Sequence, residues 1–105
     1  MILDDLKGKK DAINSLVLKY GANNLRVFGS VARREEKEES DVDFLVDFPR
    51  GYNLFDQRMP LAKELSKLID KKIDLVVEHE LNKHIKKYVL EEARNLLKKE
   101  IITYN

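Results

Sequence analysis

Three aspartates alternate with apolar residues in the middle of the chain, in the stretch Asp41-Val42-Asp43-Phe44-Leu45-Val46-Asp47-Phe48. Carboxylates in so apolar a run cost free energy if buried without partners, so the pattern calls for something that takes up their charge. Two residues apart on an extended strand, Asp41 and Asp43 project from one side, about 7 Å apart along the backbone. Side chains so placed can converge on one or two divalent cations. Asp74, in Lys72-Ile73-Asp74-Leu75-Val76-Val77, alternates in the same way and completes the cluster if its strand lies alongside. Hard oxygen donors select Mg2+, with Mn2+ as the alternative, and Mg2+ on a few carboxylates fills its shell with water and substrate phosphates.

Gly29-Ser30 supplies a second half-site. A glycine directly after a strand lets the backbone approach a phosphate, and the turn that follows offers free N–H groups. Ser30 adds a hydroxyl donor. Arg33, one turn on, either reaches the same anion or pairs with the nearby glutamates. The combination fits a nucleoside triphosphate, with its phosphates on the Gly-Ser turn and metal ions linking them to the aspartates. Two such ions align an attacking oxygen with the α-phosphorus and stabilise the departing pyrophosphate.

These residues need elements to hold them. Leu6, Ile13, Leu16, Val17 and Tyr20 recur at helical spacing and predict a helix over about 3–20, loosened at Gly8, with Asn23-Asn24 as a turn. Leu25–Phe28 reads as a short strand, Ser30–Glu35 as one or two helical turns, and Glu35–Ser40 as a solvated loop. Residues 41–48 form a strand with Val42, Phe44, Val46 and Phe48 on one side and Asp41, Asp43, Leu45 and Asp47 on the other. Leu61, Ala62, Leu65, Leu68 and Ile69 mark a helix with Pro60 in its first turn. Residues 72–77 form another strand. Leu81, Ile85, Val89, Ala93 and Leu96 form the core-facing stripe of a last helix, and Glu100–Tyr104 is a candidate edge strand. The expected fold is therefore α+β: a small sheet of three to four strands, helices packed on one face, the acidic residues on the other.

With 105 residues, the chain is expected to form a single domain over 1–105. Twenty basic residues nearly cancel nineteen acidic ones, which argues against strong direct nucleic-acid binding. The absence of cysteine excludes disulfides and thiolate metal sites and fits a reducing cytoplasm. No run has the length of a membrane span, and the N-terminus lacks a signal-peptide core. Other polar residues have plainer roles. Asp47 is expected to be structural or solvent-facing, Arg34 to form a surface ion pair, and His79 and His84, five apart, to sit at the surface or cap an element. Tyr52 and Phe55 either stack on a base or anchor the following helix. Lys83, Lys87, Arg94 and Lys98 fall on one side of the last helix, as a charged outer face or a docking surface for an acidic partner.

Gly29-Ser30, ten intervening residues and Asp41-Val42-Asp43 resemble the signature of the DNA polymerase β-like nucleotidyltransferases. The segments around them, and the later strand with Asp74, resemble the minimal nucleotidyltransferase group. The resemblance implies the polymerase β palm-like fold and two-metal transfer of a nucleotide from a nucleoside triphosphate. It assigns Asp41, Asp43 and Asp74 as catalytic metal ligands, and Gly29 and Ser30 as triphosphate ligands, with Arg33 a candidate beside them. It further implies an antitoxin that transfers AMP from ATP to a tyrosine of a HEPN-domain RNase toxin, and the small open sheet with an apolar last helix fits either a homodimer or a heteromeric complex with the toxin. Two other readings stay open: an antitoxin that neutralises by binding alone, and a stand-alone transferase acting on RNA or a small molecule.

Overall fold

The computed structural model describes residues 2–37 and 40–95. The first predicted helix is two: α1 (Ile2–Gly8) and α2 (Lys10–Lys19), separated at Lys9. Leu3 and Leu6 on one, and Ile13 and Val17 on the other, reach the same core, which a break at this point allows. β1 (Asn23–Phe28) starts two residues earlier than the sequence predicts. Asn24 takes a left-handed φ of 56°, and the pairing with the next strand shifts there, so the Asn pair is a local irregularity within a strand.

α3 (Gly29–Ala32) is one short turn directly after β1. β2 (Val42–Asp47) follows the charged loop. A π-helical turn (Leu54–Arg58), capped by the Asn53 side chain, leads into α4 (Met59–Ile69) with Pro60 in its first turn. β3 (Ile73–Val77), a 3₁₀ turn (Glu78–Glu80), α5 (Lys83–Glu92) and the two-residue β4 (Arg94–Asn95) complete the described chain. The sheet order is β3-β2-β1-β4. β1 is antiparallel to β2 and β4, while β2 and β3 run parallel, joined through α4. The expected small mixed sheet is thus present. The proposed edge strand at 100–104, like Leu96 and Lys98, lies outside the described residues.

One face of the sheet carries Leu25, Val27, Val42, Phe44, Val46, Phe48, Leu75 and Val77. These pack against Leu3, Leu6, Ile13, Val17, Val31, Leu61 and Leu65 of α1–α4. α5 differs from the expectation. None of its residues is buried, and Ile85 and Tyr88 are exposed, so its apolar stripe is no part of this core. Arg94 stands on β4, beyond the end of α5, so it does not share a helical side with Lys83 and Lys87.

The opposite face is polar and is laid out in rows by the register. Phe28 pairs with Asp43 and Asp43 with Asp74; Arg26 pairs with Leu45 and Leu45 with Val76. Leu45 is fully buried yet lies outside the main core cluster. At the far end, Arg26 donates to Asp47 (2.7 Å), to Glu78, and to the Asn24 carbonyl (2.9 Å). Asn24 also donates to Asp47 (3.0 Å). Asp47 therefore has the structural role expected of it, and Arg26 is the buried cation that neutralises this half of the face.

Removing Arg26 while leaving both carboxylates should destabilise the fold. Deleting one partner of a fully buried pair costs about 3–5 kcal/mol, and the partial exposure of Asp47 and Glu78 reduces this to about 2 kcal/mol for Arg26→Met. Urea unfolding at pH 7 measures the loss.

Candidate active site

Strand periodicity and register place the three predicted carboxylates together. Asp43 stands directly beside Asp74 in the parallel β2–β3 pair, and Asp41 precedes Asp43 by two positions. Asp41 and Asp74 are exposed and Asp43 is half-buried. Burial raises the Asp43 carboxyl above its ordinary value of 3.8. The negative charges of Asp74, Asp41 and Glu92 push in the same direction, and Arg33 opposes them.

Gly29 lies against this cluster. Its φ of +71° is left-handed, where glycine alone is unstrained. A Cβ on it would fall far inside van der Waals contact with Asp43 Oδ2 and 3.2 Å from Cγ. The turn at Gly29 and the carboxylate of Asp43 can stand this close only because no side chain separates them. Ser30 follows in α3, half-buried, and Arg33 lies at the end of that turn. The six residues singled out from the sequence, Gly29, Ser30, Arg33, Asp41, Asp43 and Asp74, therefore gather at one end of the polar face.

Among the described residues, no three His, Cys, Asp or Glu side chains are grouped closely enough to hold a metal ion. The donor set still suits a hard divalent cation. It consists of carboxylates, two of them paired across adjacent strands, with a side-chain-free turn beside Asp43. Like charges this near repel, and a cation between them would supply the missing counter-charge.

The remaining candidates stand elsewhere. Tyr52 stacks on Phe48 at 4.7 Å between ring centres and bonds to Glu80 (2.7 Å), which makes it an anchor for the loop before α4. Phe55 is exposed. His79 meets the edge of Tyr52, and His84 is at the start of α5, so the two histidines do not share a site. Arg34 pairs with Asp4 (3.1 Å) at the surface.

One residue at the site was not singled out from sequence. Glu92, the last residue of α5, accepts a hydrogen bond from the Gly29 N–H (2.5 Å) and one from Arg33 Nη1 (2.6 Å). Arg33 also pairs with Glu35 (3.0 Å), which realises the ion-pair alternative for this residue. In the sequence Glu92 is half of an acidic pair within a basic stretch, 63 residues from Gly29, and no local pattern links the two.

Comparison with known proteins gives an independent view. The family model described as Polymerase beta, Nucleotidyltransferase matches residues 12–102. A Methanocaldococcus jannaschii protein provisionally named a protein adenylyltransferase is 35% identical over 97 residues, 92% of this chain and all of its own. Protein adenylyltransferase MntA of Thermococcus cleftensis is 40% identical over 75 residues, 71% of this chain and 75% of its own. A solved structure provisionally described as a minimal nucleotidyltransferase superposes with a TM-score of 0.78 at 40% identity, covering 90% of this chain and 95% of that one. A toxin–antitoxin crystal structure containing AMP-PNP has the same fold, with a TM-score of 0.71 at 21% identity, covering 86% of this chain and 73% of that one.

Two outcomes follow from the crowding around Asp43. Its carboxyl binds a proton more tightly in the folded than in the unfolded state, so stability falls as pH rises through the window above 3.8. In metal-free buffer at pH 7, Asp43→Asn should therefore melt at a higher temperature than the wild type. The gap should close toward pH 3, and Mg2+ should raise the melting temperature of the wild type alone. Gly29→Ala, forced into both a left-handed φ and a clash, should lose about 1–3 kcal/mol in denaturant unfolding.

Proposed function

The chain belongs to the polymerase β nucleotidyltransferase family, and on that premise we propose that it transfers AMP from ATP to a tyrosine of a HEPN-domain RNase toxin, silencing it as the antitoxin of the pair. The observation that carries the reading is the abutment of Gly29 on Asp43, with Asp74 paired beside it. An anion cradle and a carboxylate cluster in contact are what a metal-linked triphosphate requires. The target is supported by resemblance: a relative named MntA, and neighbours of the same fold solved as toxin–antitoxin complexes, one with an ATP analogue.

In this reading residues 1–105 form one transferase domain working in the cytoplasm. The Gly29 N–H, the Ser30 hydroxyl and Arg33 bind the triphosphate and orient it. Asp41, Asp43 and Asp74 hold the divalent cations. When bound, two Mg2+ ions would polarise the α-phosphate and offset the charge developing on the leaving pyrophosphate. In this reading Asp74, exposed at its strand, takes the proton from the acceptor hydroxyl. The acceptor oxygen then bonds to the α-phosphorus as the bond to the β-phosphate oxygen breaks.

Incubation with labelled ATP, Mg2+ and the cognate HEPN protein tests this. Label should appear on a toxin tyrosine. An Asp41→Asn/Asp43→Asn double variant should reduce its rate by about a thousandfold or more, roughly 4 kcal/mol of transition-state stabilisation. An unlabelled toxin that the double variant neutralises equally well would instead establish neutralisation by binding alone.

A further inference from the structure

Two of the three donors assigned to the triphosphate are already in use. The Gly29 N–H and Arg33 Nη1 each donate to a different oxygen of the Glu92 carboxylate, at 2.5 and 2.6 Å. A carboxylate held on two oxygens by a backbone N–H and a guanidinium is bound as a phosphate would be. Glu92 is held on the N–H of Gly29, whose turn abuts the Asp43 carboxylate, so it stands where cradle and cluster meet. We propose that Glu92 is a built-in competitor for the phosphate seat: the nucleotide-free protein closes the seat with its own carboxylate, and nucleotide enters only as the end of α5 lets go. This regulation rests on the nucleotidyltransferase reading, because the seat is defined by it.

The construction suits a reversible plug. α5 has no buried residue along its ten, so its end can shift without opening the core. The Arg33 side chain is 46% exposed and that of Glu92 is 27% exposed, and ion pairs so accessible to water contribute little. The acidic site also works against its own plug, since Glu92 and the aspartates repel. An incoming polyphosphate with Mg2+ offers the same donors more charge and cancels the repulsion. The seat is therefore competent only in the fraction of molecules with Glu92 released, and apparent affinity is reduced by that fraction.

The test uses the full chain, with calorimetric titration of inorganic tripolyphosphate and of ATP, each with Mg2+. Glu92→Ala should bind both about tenfold more tightly than the wild type. Glu91→Gln is the control for charge alone. Glu91 is the exposed neighbour one residue away, and its loss should change affinity by less than about twofold. The Gly29 amide, followed by NMR, should shift on Glu92→Ala substitution and shift again as tripolyphosphate is added. Equal affinities for wild type and Glu92→Ala, with ATP bound by both, would overturn the plug and leave the transferase reading standing. Equal tightening by Glu91→Gln would reduce the effect to bulk charge and overturn it as well. Failure of ATP to bind any of the three would remove the transferase reading and this inference with it.

Discussion

The parallel pairing of β2 with β3 sets Asp43 beside Asp74, and much of the structure is arranged around that crowding of negative charge. Desolvation and its acidic neighbours both press Asp43 toward its protonated form. A fold selected for stability alone would place a neutral or basic residue in that row. The antiparallel pairing with β1 then brings Phe28, and after it Gly29, to the same end of the sheet. The half-site for anions thus sits against the half-site for cations. The anion side is closed by Glu92 from within the chain, while the Asp43–Asp74 pair has its like charges side by side.

The same face contains its own comparison. At the far end, Asp47 closes β2 and Glu78 follows directly after β3, and Arg26 bonds to both. One half of the acidic face is neutralised from within the chain, and at the other Asp43 and Asp74 stand side by side with no such cation reaching between them among the described residues. Leu45 and Val76 form an apolar row between the two, separating a structural ion network from the reactive end.

The sequence revealed most of what depends on short-range periodicity. Alternation on residues 41–48 and 72–77 placed each carboxylate on its face, and the spacing of Leu61, Leu65 and their neighbours placed α4. The Gly29-Ser30 turn was legible because a glycine after an apolar strand has few other uses. Three features were not legible, each for a physical reason. The sequence marked a loosening at Gly8 but not the full break at Lys9, which arises because α1 and α2 meet the core separately. The apolar residues of α5 have the spacing of a core stripe, and periodicity alone cannot say what, if anything, covers it. Glu92 reaches the site through a contact across 63 residues, made by a side chain whose local sequence reads as helix surface.

β3 closes one side of the described sheet, so the strand that displays Asp74 also has an open flank of backbone hydrogen-bonding groups. Such a flank invites another chain to add a strand and begin aggregation. Here it is short, five residues, with Lys71 and Lys72 before it and Glu78 and Glu80 after it. A second copy stacking in parallel register would bring like charges together at both ends and a third carboxylate against the centre. The charges in and around this strand thus oppose the addition of another copy at its edge.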